Sequence, residues 1–322
     1  MKIVVLDGYT LNPGDLSWQG LEKFGDLTVY DRTSYNPDDE DLIIERAREA
    51  DVIFTNKTPI TKNIINSIAN LKYIGVLATG YNVVDIKAAK DKGVVVTNIP
   101  TYGTRAVGQM TFALILELCN HVGIHSDAVF NGEWENNIDW TFWKQPLMEL
   151  SEKTIGIIGY GRIGQNVGQI AQAFNMKVLA NANTRKPELE NERVKFAELE
   201  ILLKESDIIS LHCPLTKDNE EMINKDTISL MKDSALLINT SRGGLVNEAD
   251  LANALNQGKI AGAALDVVSY EPIKPNNPLL KARNCIITPH IAWAPIESRS
   301  RLMDIAVDNL RNFIEGKPSN IV

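Results

Sequence analysis

Arg242, Glu271 and His290 are the side chains whose types and settings best suit chemistry. His290 lies in Ile287-Thr288-Pro289-His290-Ile291-Ala292-Trp293. Pro289 biases Thr288 toward extended geometry, so His290 is expected just beyond the carboxyl end of a strand. Arg242 lies in Ile238-Asn239-Thr240-Ser241-Arg242-Gly243-Gly244, past another apolar run and before a helix that Asn247 can cap. Its planar fork matches a carboxylate. Glu271, in Ser269-Tyr270-Glu271-Pro272, follows a run ending at Asp266. One sheet edge would then collect a cation, two carboxylates and a titratable ring. Each has a plainer reading, a surface ion pair for Arg242 and packing for a lone histidine. Together they suit proton transfer at an oxygen beside a carboxylate. The arginine holds the acid and polarises the C2 oxygen, the histidine exchanges the proton, and the glutamate orients the histidine. His212, before Cys213-Pro214, reads as structural or cofactor-lining, and His121 and His125 as packing or solvent-facing.

Such a set needs an electron carrier, and the six residues GYGRIG at 159–164 point to one. They follow the apolar run Thr154–Ile158 and open an amphipathic stretch, Ile163–Phe174. In that order a buried strand passes through a glycine turn into a helix N-terminus, which suits a dinucleotide pyrophosphate. Gly159 allows the tight turn, Gly161 the approach of phosphate, and Gly164 the packing of helix on strand. The chemistry implied is hydride exchange between a nicotinamide and a small 2-hydroxy or 2-oxo acid.

Strand-like and helical segments alternate through the chain. Strands are expected at Ile3–Leu6, Val52–Thr55, Tyr73–Leu77 and Val94–Thr97, with helices near 15–24, 39–50, 61–69 and 85–92. A second series starts at Thr154 and continues at Val178–Ala180, Ile208–Leu211, Leu236–Asn239, Ala261–Leu265 and Cys285–Thr288. The fold class is therefore α/β, two open parallel-sheet domains (flavodoxin-like and Rossmann) with a cleft between them. Residues 1–100 plus 292–322 make a discontinuous substrate-binding domain, and 101–291 the dinucleotide domain, including one long apolar helix over roughly 104–130. A further helix is expected at about 295–315, and Pro272–Pro278 reads as a surface loop.

The 322 residues carry 33 Lys and Arg against 41 Asp and Glu, a net charge of −8, with no basic cluster of the kind a nucleic-acid binder needs. Three separated cysteines, Cys119, Cys213 and Cys285, fit neither a disulfide framework nor a zinc site, and no metal is expected. No apolar run reaches membrane-spanning length. The expectation is a cytoplasmic protein without a membrane or nucleic-acid partner.

In this order the pieces LATGYNVVD (77–85), GIIGYGRIG (156–164), DIISLHCPLT (207–216), LINTSRGGLVNEADL (237–251), AALDVVSYEP (263–272) and TPHIAWAP (288–295) make the chain resemble the D-isomer-specific 2-hydroxyacid dehydrogenases over essentially its whole length. The glycerate dehydrogenase (hydroxypyruvate reductase) branch is most similar, on TNKTP (55–59), ATGYNVVD and HIAWA. The resemblance implies that Arg242, Glu271 and His290 are catalytic and that Ala78, Thr79 and Gly80, with Arg242, meet the substrate carboxylate. For the cofactor it implies contacts from Thr104, Val107, Gly159, Gly161, Arg162, Ile163 and Gly164. Cys213 and Pro214 would lie near the adenosine, and Thr240, Asp266, His290 and Trp293 on the nicotinamide side. It also implies a homodimer, in which the loop Trp140–Trp143 belongs to an arm reaching the neighbouring subunit. A locally packed aromatic loop is the alternative.

One departure bears on the cofactor. NAD-preferring sites place an acidic residue about 18–20 positions after the last glycine. Ala182 stands there, and no carboxylate follows before Glu188. Thr184, Arg185 and Lys186 can hydrogen-bond or neutralise a 2′-phosphate, so NADP(H) is expected to be accepted or preferred alongside NAD(H); the alternative is that Arg185 and Lys186 are solvated loop charges and Asn181 or Asn183 binds an ordinary ribose. A dinucleotide-sensing corepressor is the weaker alternative, as are dehydrogenases for D-lactate or phosphoglycerate. Glu271 argues against formate chemistry, whose relatives carry glutamine there.

Overall fold

The computed structural model describes residues 1–322, which divide into two units, Met1–Gly103 with Trp293–Val322, and Thr104–Ala292. The first holds β1 (Lys2–Val5), β2 (Asp26–Val29), β3 (Val52–Thr55), β4 (Tyr73–Val76) and β5 (Val95–Thr97). They form an all-parallel sheet in the order β2-β1-β3-β4-β5, the flavodoxin-like winding. β3 and β4 are buried at every position, as parallel strands covered on both faces must be. The helix Ile296–Ile314 returns to this unit and packs Leu302, Ala306 and Leu310 against Ile3, Val5 and Phe54.

The second unit holds β6 (Thr154–Ile158), β7 (Lys177–Asn181), β8 (Val194–Phe196), β9 (Ile208–Leu211), β10 (Leu236–Asn239), β11 (Gly262–Leu265) and β12 (Cys285–Ile287). Their order, β12-β11-β10-β9-β6-β7-β8, reverses direction at β6 and β9, the switch point of a Rossmann sheet. The register aligns the strand ends. Asn181 pairs with Ile158, Ile158 with Leu211, Leu211 with Asn239, Asn239 with Leu265, and Leu265 with Ile287. Whatever follows these six residues emerges along one edge.

Three expectations need correction. The long helix over 104–130 is two, Thr104–Asn120 and Val122–Phe130, bent by 56°. His121 breaks it at φ 49°, where its N–H still bonds Glu117. No single helix is long and apolar enough to cross a membrane. The helix near 15–24 shrinks to Gln19–Glu22. Asn12 is the cause, because its side chain bonds Gly14 and both backbone groups of Leu16, holding that stretch in a loop. The strands β2 and β8 were not expected. Both lie at sheet edges and are only partly buried.

Candidate active site

The glycine turn lies where β6 ends. Gly159 has φ 96°, and a Cβ there would overlap the backbone of His212 and Cys213. Its N–H donates to Asn181 O at 2.8 Å. A Cβ on Gly164 would strike Gly159 O, so the helix Arg162–Ala173 lies hard against the turn. At Gly161, by contrast, a Cβ would meet nothing within 4 Å, and no side chain caps the helix. An uncapped helix N-terminus beside open space fits the pyrophosphate of a dinucleotide, because helix-end N–H groups and the dipole both favour anions. Arg162 and Ile163 open that helix.

Further along the edge, the expected cofactor residues Val107 and Thr240 are joined through Thr111. Its hydroxyl donates to Val107 O at 2.8 Å and lies 3.0 Å from Thr240 Oγ1. Thr111 is fully buried in an otherwise apolar helix face, a signal visible in the sequence but easily taken for core. Thr104 begins the same helix. Cys213 O accepts Ser241 Oγ at 2.5 Å, and Pro214 O accepts Asn219 Nδ2 at 2.8 Å, which fixes this segment beside the turn. His212 Nε2 meets Ser210 Oγ at 2.8 Å, while its Nδ1 is buried without a protein partner. Burial pushes this ring's pKa down to about 3, so it is neutral.

His290 and Glu271 meet directly, Nδ1 to Oε2 at 2.6 Å. The bond leaves Nε2 as the ring atom able to exchange a proton with a ligand. His290 stands at φ 54°, an uncommon region for a residue with a Cβ, and its N–H donates to Thr288 O at 2.9 Å. The conformation is held by Asp266, which is 0% exposed. Asp266 accepts Thr288 Oγ1 at 2.6 Å, Ile291 N at 2.9 Å and Ala292 N at 2.8 Å, bracketing His290 on both sides. Asp266 therefore positions the histidine loop, a role the sequence reading did not assign it.

Arg242 follows β10 with an exposed side chain, one of whose nitrogens donates to Ser241 O at 2.7 Å. Asn239 Nδ2 bonds Arg242 O at 2.9 Å. The next residue brings it to the pair, since a Cβ on Gly243 would overlap the Val268–Ser269 peptide. Only glycine allows that approach. Val268 N in turn donates to Glu271 Oε1 at 3.3 Å. Arg242, Glu271 and His290 are thus held by one connected set of loops.

One feature differs from expectation. Arg185 is neither free for a phosphate nor merely solvated. It forks onto Glu190 through Nε and Nη2 at 3.0 and 2.8 Å. Asn183 and Thr184 are exposed nearby. In the aromatic loop Trp140 and Trp143 are 86% and 65% exposed, and Trp134 Nε1 donates to Trp140 O at 2.9 Å. In the first unit, Ala78 O and Thr79 Oγ1 bond the backbone of Ile99, and Asn98 Nδ2 bonds Thr79 O, which holds the turn 78–80. Trp293 belongs to this unit and packs edge-on against Tyr102.

Residues 112–292 match the family model described as D-isomer specific 2-hydroxyacid dehydrogenase, NAD binding domain. The whole chain is 58% identical to a hydroxypyruvate reductase of Blautia hydrogenotrophica, over 100% of this chain and 99% of that one. It is 40% identical to a glycerate dehydrogenase of Methylorubrum extorquens, over 87% of this chain and 88% of the relative. Among solved structures, an acyclic imino acid reductase in complex with NADPH and D-Arg superposes with a TM-score of 0.85 at 33% identity, covering all of both chains. With both sheets and the edge residues in this arrangement, the chain belongs to the D-isomer-specific 2-hydroxyacid dehydrogenase family of NAD(P)-dependent oxidoreductases.

Proposed function

We propose that the protein reduces hydroxypyruvate, and glyoxylate as a second substrate, to the corresponding D-glycerate and glycolate, with the reverse oxidations also available. The observation that carries this reading is the 2.6 Å pair of His290 and Glu271 on the same sheet edge as the glycine turn. The nicotinamide, when bound, supplies or receives the hydride at C2 of the acid. Arg242 holds the carboxylate and polarises the C2 oxygen. His290 gives that oxygen a proton from Nε2 during reduction and takes it back during oxidation. Glu271 keeps Nδ1 engaged and fixes the orientation of the ring. Backbone groups of Ala78, Thr79 and Gly80 offer further donors to the carboxylate. Gly159, Gly161, Arg162, Ile163 and Gly164 hold the pyrophosphate, Cys213 and Pro214 the adenosine side, and Thr104, Val107, Thr240, Asp266 and Trp293 the nicotinamide side.

Both NADH and NADPH are proposed to serve, because Ala182 places no carboxylate against a 2′-phosphate. The exposed aromatics of 130–143 support a homodimer built on that arm, since a lone domain rarely leaves so much apolar surface in water. The three free cysteines suit a reducing, cytoplasmic setting. Measuring kcat/KM for hydroxypyruvate, glyoxylate and pyruvate with each reduced cofactor tests the reading. Absence of turnover on every acid with both cofactors overturns it. Sedimentation equilibrium of the protein, and of a variant with Phe130, Ile138 and Trp140 changed to serine, tests the dimer.

A further inference from the structure

The loop between β7 and β8 starts beside the glycine turn, because Asn181 O accepts Gly159 N and Ile158 pairs with Asn181. It then folds back through a tight turn at Pro187–Leu189, which returns Glu190 to Arg185. Glu190 binds the guanidinium through Nε–Oε1 at 3.0 Å, Nη2–Oε1 at 2.8 Å and Nη2–Oε2 at 3.1 Å. The carboxylate is anchored from the other side by Phe196 N on β8, at 3.2 Å to Oε1. Its side chain is 19% exposed against 65% for Arg185, so the acid is the fixed member of the pair.

The Nε–Nη2 edge of the fork, one of the two that can grip a phosphate with parallel bonds, is therefore occupied by a carboxylate. The charge is balanced as well. Residues 182–190 hold Arg185 and Lys186 against Glu188 and Glu190, so 2 − 2 = 0. A dianionic 2′-phosphate entering this loop meets no net positive charge, and must take Arg185 from a partly exposed acid anchored on β8 to gain one.

We propose that Glu190 sets the choice between the two nicotinamide dinucleotides by withholding Arg185 from the 2′-phosphate. This rests on the dinucleotide site proposed above, and deepens it. The acid that tells the cofactors apart is then not at the usual place after β7 but eight residues later (182 + 8 = 190). It acts on the phosphate through the arginine rather than on the ribose.

The test is Glu190→Gln, whose amide oxygen can still accept Phe196 N. Dissociation constants for NADPH and NADH are read by calorimetry, alongside adenosine 2′-monophosphate and adenosine 5′-monophosphate as fragments. The expected result is about tenfold tighter NADPH, or roughly 1.4 kcal/mol, with NADH within about twofold. The 2′-monophosphate should tighten while the 5′-monophosphate does not. In an Arg185→Ala background the same change should gain nothing, the coupling that a double-mutant cycle isolates. An equal shift for both cofactors, no shift, or a gain that persists without Arg185 each overturns the proposal. Because these readouts are binding constants, they separate this idea from the catalytic one. Wild-type protein that binds both cofactors yet turns over no acid sinks only the latter.

Discussion

Asp7 in the first unit and Asp266 in the second use the same device for different ends. Each is a buried aspartate just past a parallel strand, 1% and 0% exposed, and each accepts three hydrogen bonds from the loop after the neighbouring strand. Asp7 binds three successive N–H groups, of Asn56, Lys57 and Thr58, at 2.8, 2.6 and 2.9 Å, in a loop with no positive φ. Asp266 brackets His290, which stands at φ 54° with its ring on Glu271. A fully satisfied buried carboxylate can impose an ordinary loop or hold an unfavourable one. The second unit uses it for the latter, where the proposed chemistry lies, as strained residues tend to cluster at functional sites.

If that contrast is right, the greatest losses come from the second unit's edge. Changing His290→Ala or Arg242→Ala should lower kcat/KM for hydroxypyruvate by about 10³-fold or more, in the range of losing a general acid or a charge clamp. Circular dichroism should be unchanged, because both side chains lie outside the core. Glu271→Gln should cost less, about 10²-fold, since the ring keeps a hydrogen-bond partner at Nδ1 but that partner is a weaker, uncharged acceptor. Near wild-type turnover in either alanine variant would remove the assigned roles.

The two aspartates themselves sharpen the comparison. Asp→Asn turns one oxygen into a donor facing donors, at about 1–3 kcal/mol each. Urea midpoints should therefore fall by similar amounts for Asp7→Asn and Asp266→Asn. Their kinetics should part company. Asp266→Asn frees the His290 loop and should reduce kcat about 10–100-fold, a loss of the size that misplacing a catalytic group brings. With Asp7→Asn, kcat should stay within about threefold. Equal kcat losses in the two variants would mean that the buried acids differ only in address.

What the sequence discloses follows the same division. The buried strands β3, β9 and β10 were legible to the residue, because continuous β-branched and leucine runs have no other use in a short segment. The edge strands β2 and β8 escaped, since Asp26-Leu27-Thr28-Val29 and Val194-Lys195-Phe196 bury only part of each side chain set. Among site residues, Arg242, Glu271 and His290 stand out because each follows a strand and a turn signal. Thr111 and the bracketing role of Asp266 are tertiary facts, and a threonine in an apolar helix face looks like core until Thr240 is seen opposite. Likewise, Glu190 gives no sign in the sequence that a tight turn returns it to Arg185.

The smallest effect concerns acid, and it also separates the units. All four histidines lie within Thr104–Ala292, and none in the first unit. His212 has a pKa pushed down by burial, to about 3, while in an unfolded chain it titrates near ~6.5. Between those values the unfolded chain carries a proton that the folded one refuses, so stability from this group is present above about 6.5 and is lost as pH falls toward 3. At pH 5 the loss is about 2 kcal/mol, from roughly 1.5 pH units at 1.36 kcal/mol each. Native-state hydrogen exchange, corrected for intrinsic rates, should show protection of β6, β9 and β10 dropping between pH 6.5 and 5 relative to β3 and β4. His212→Gln, which keeps a nitrogen for Ser210, should remove most of that difference. If protection in the two sheets falls in parallel, or the glutamine variant keeps the drop, the buried ring is not what makes the second unit the acid-sensitive one.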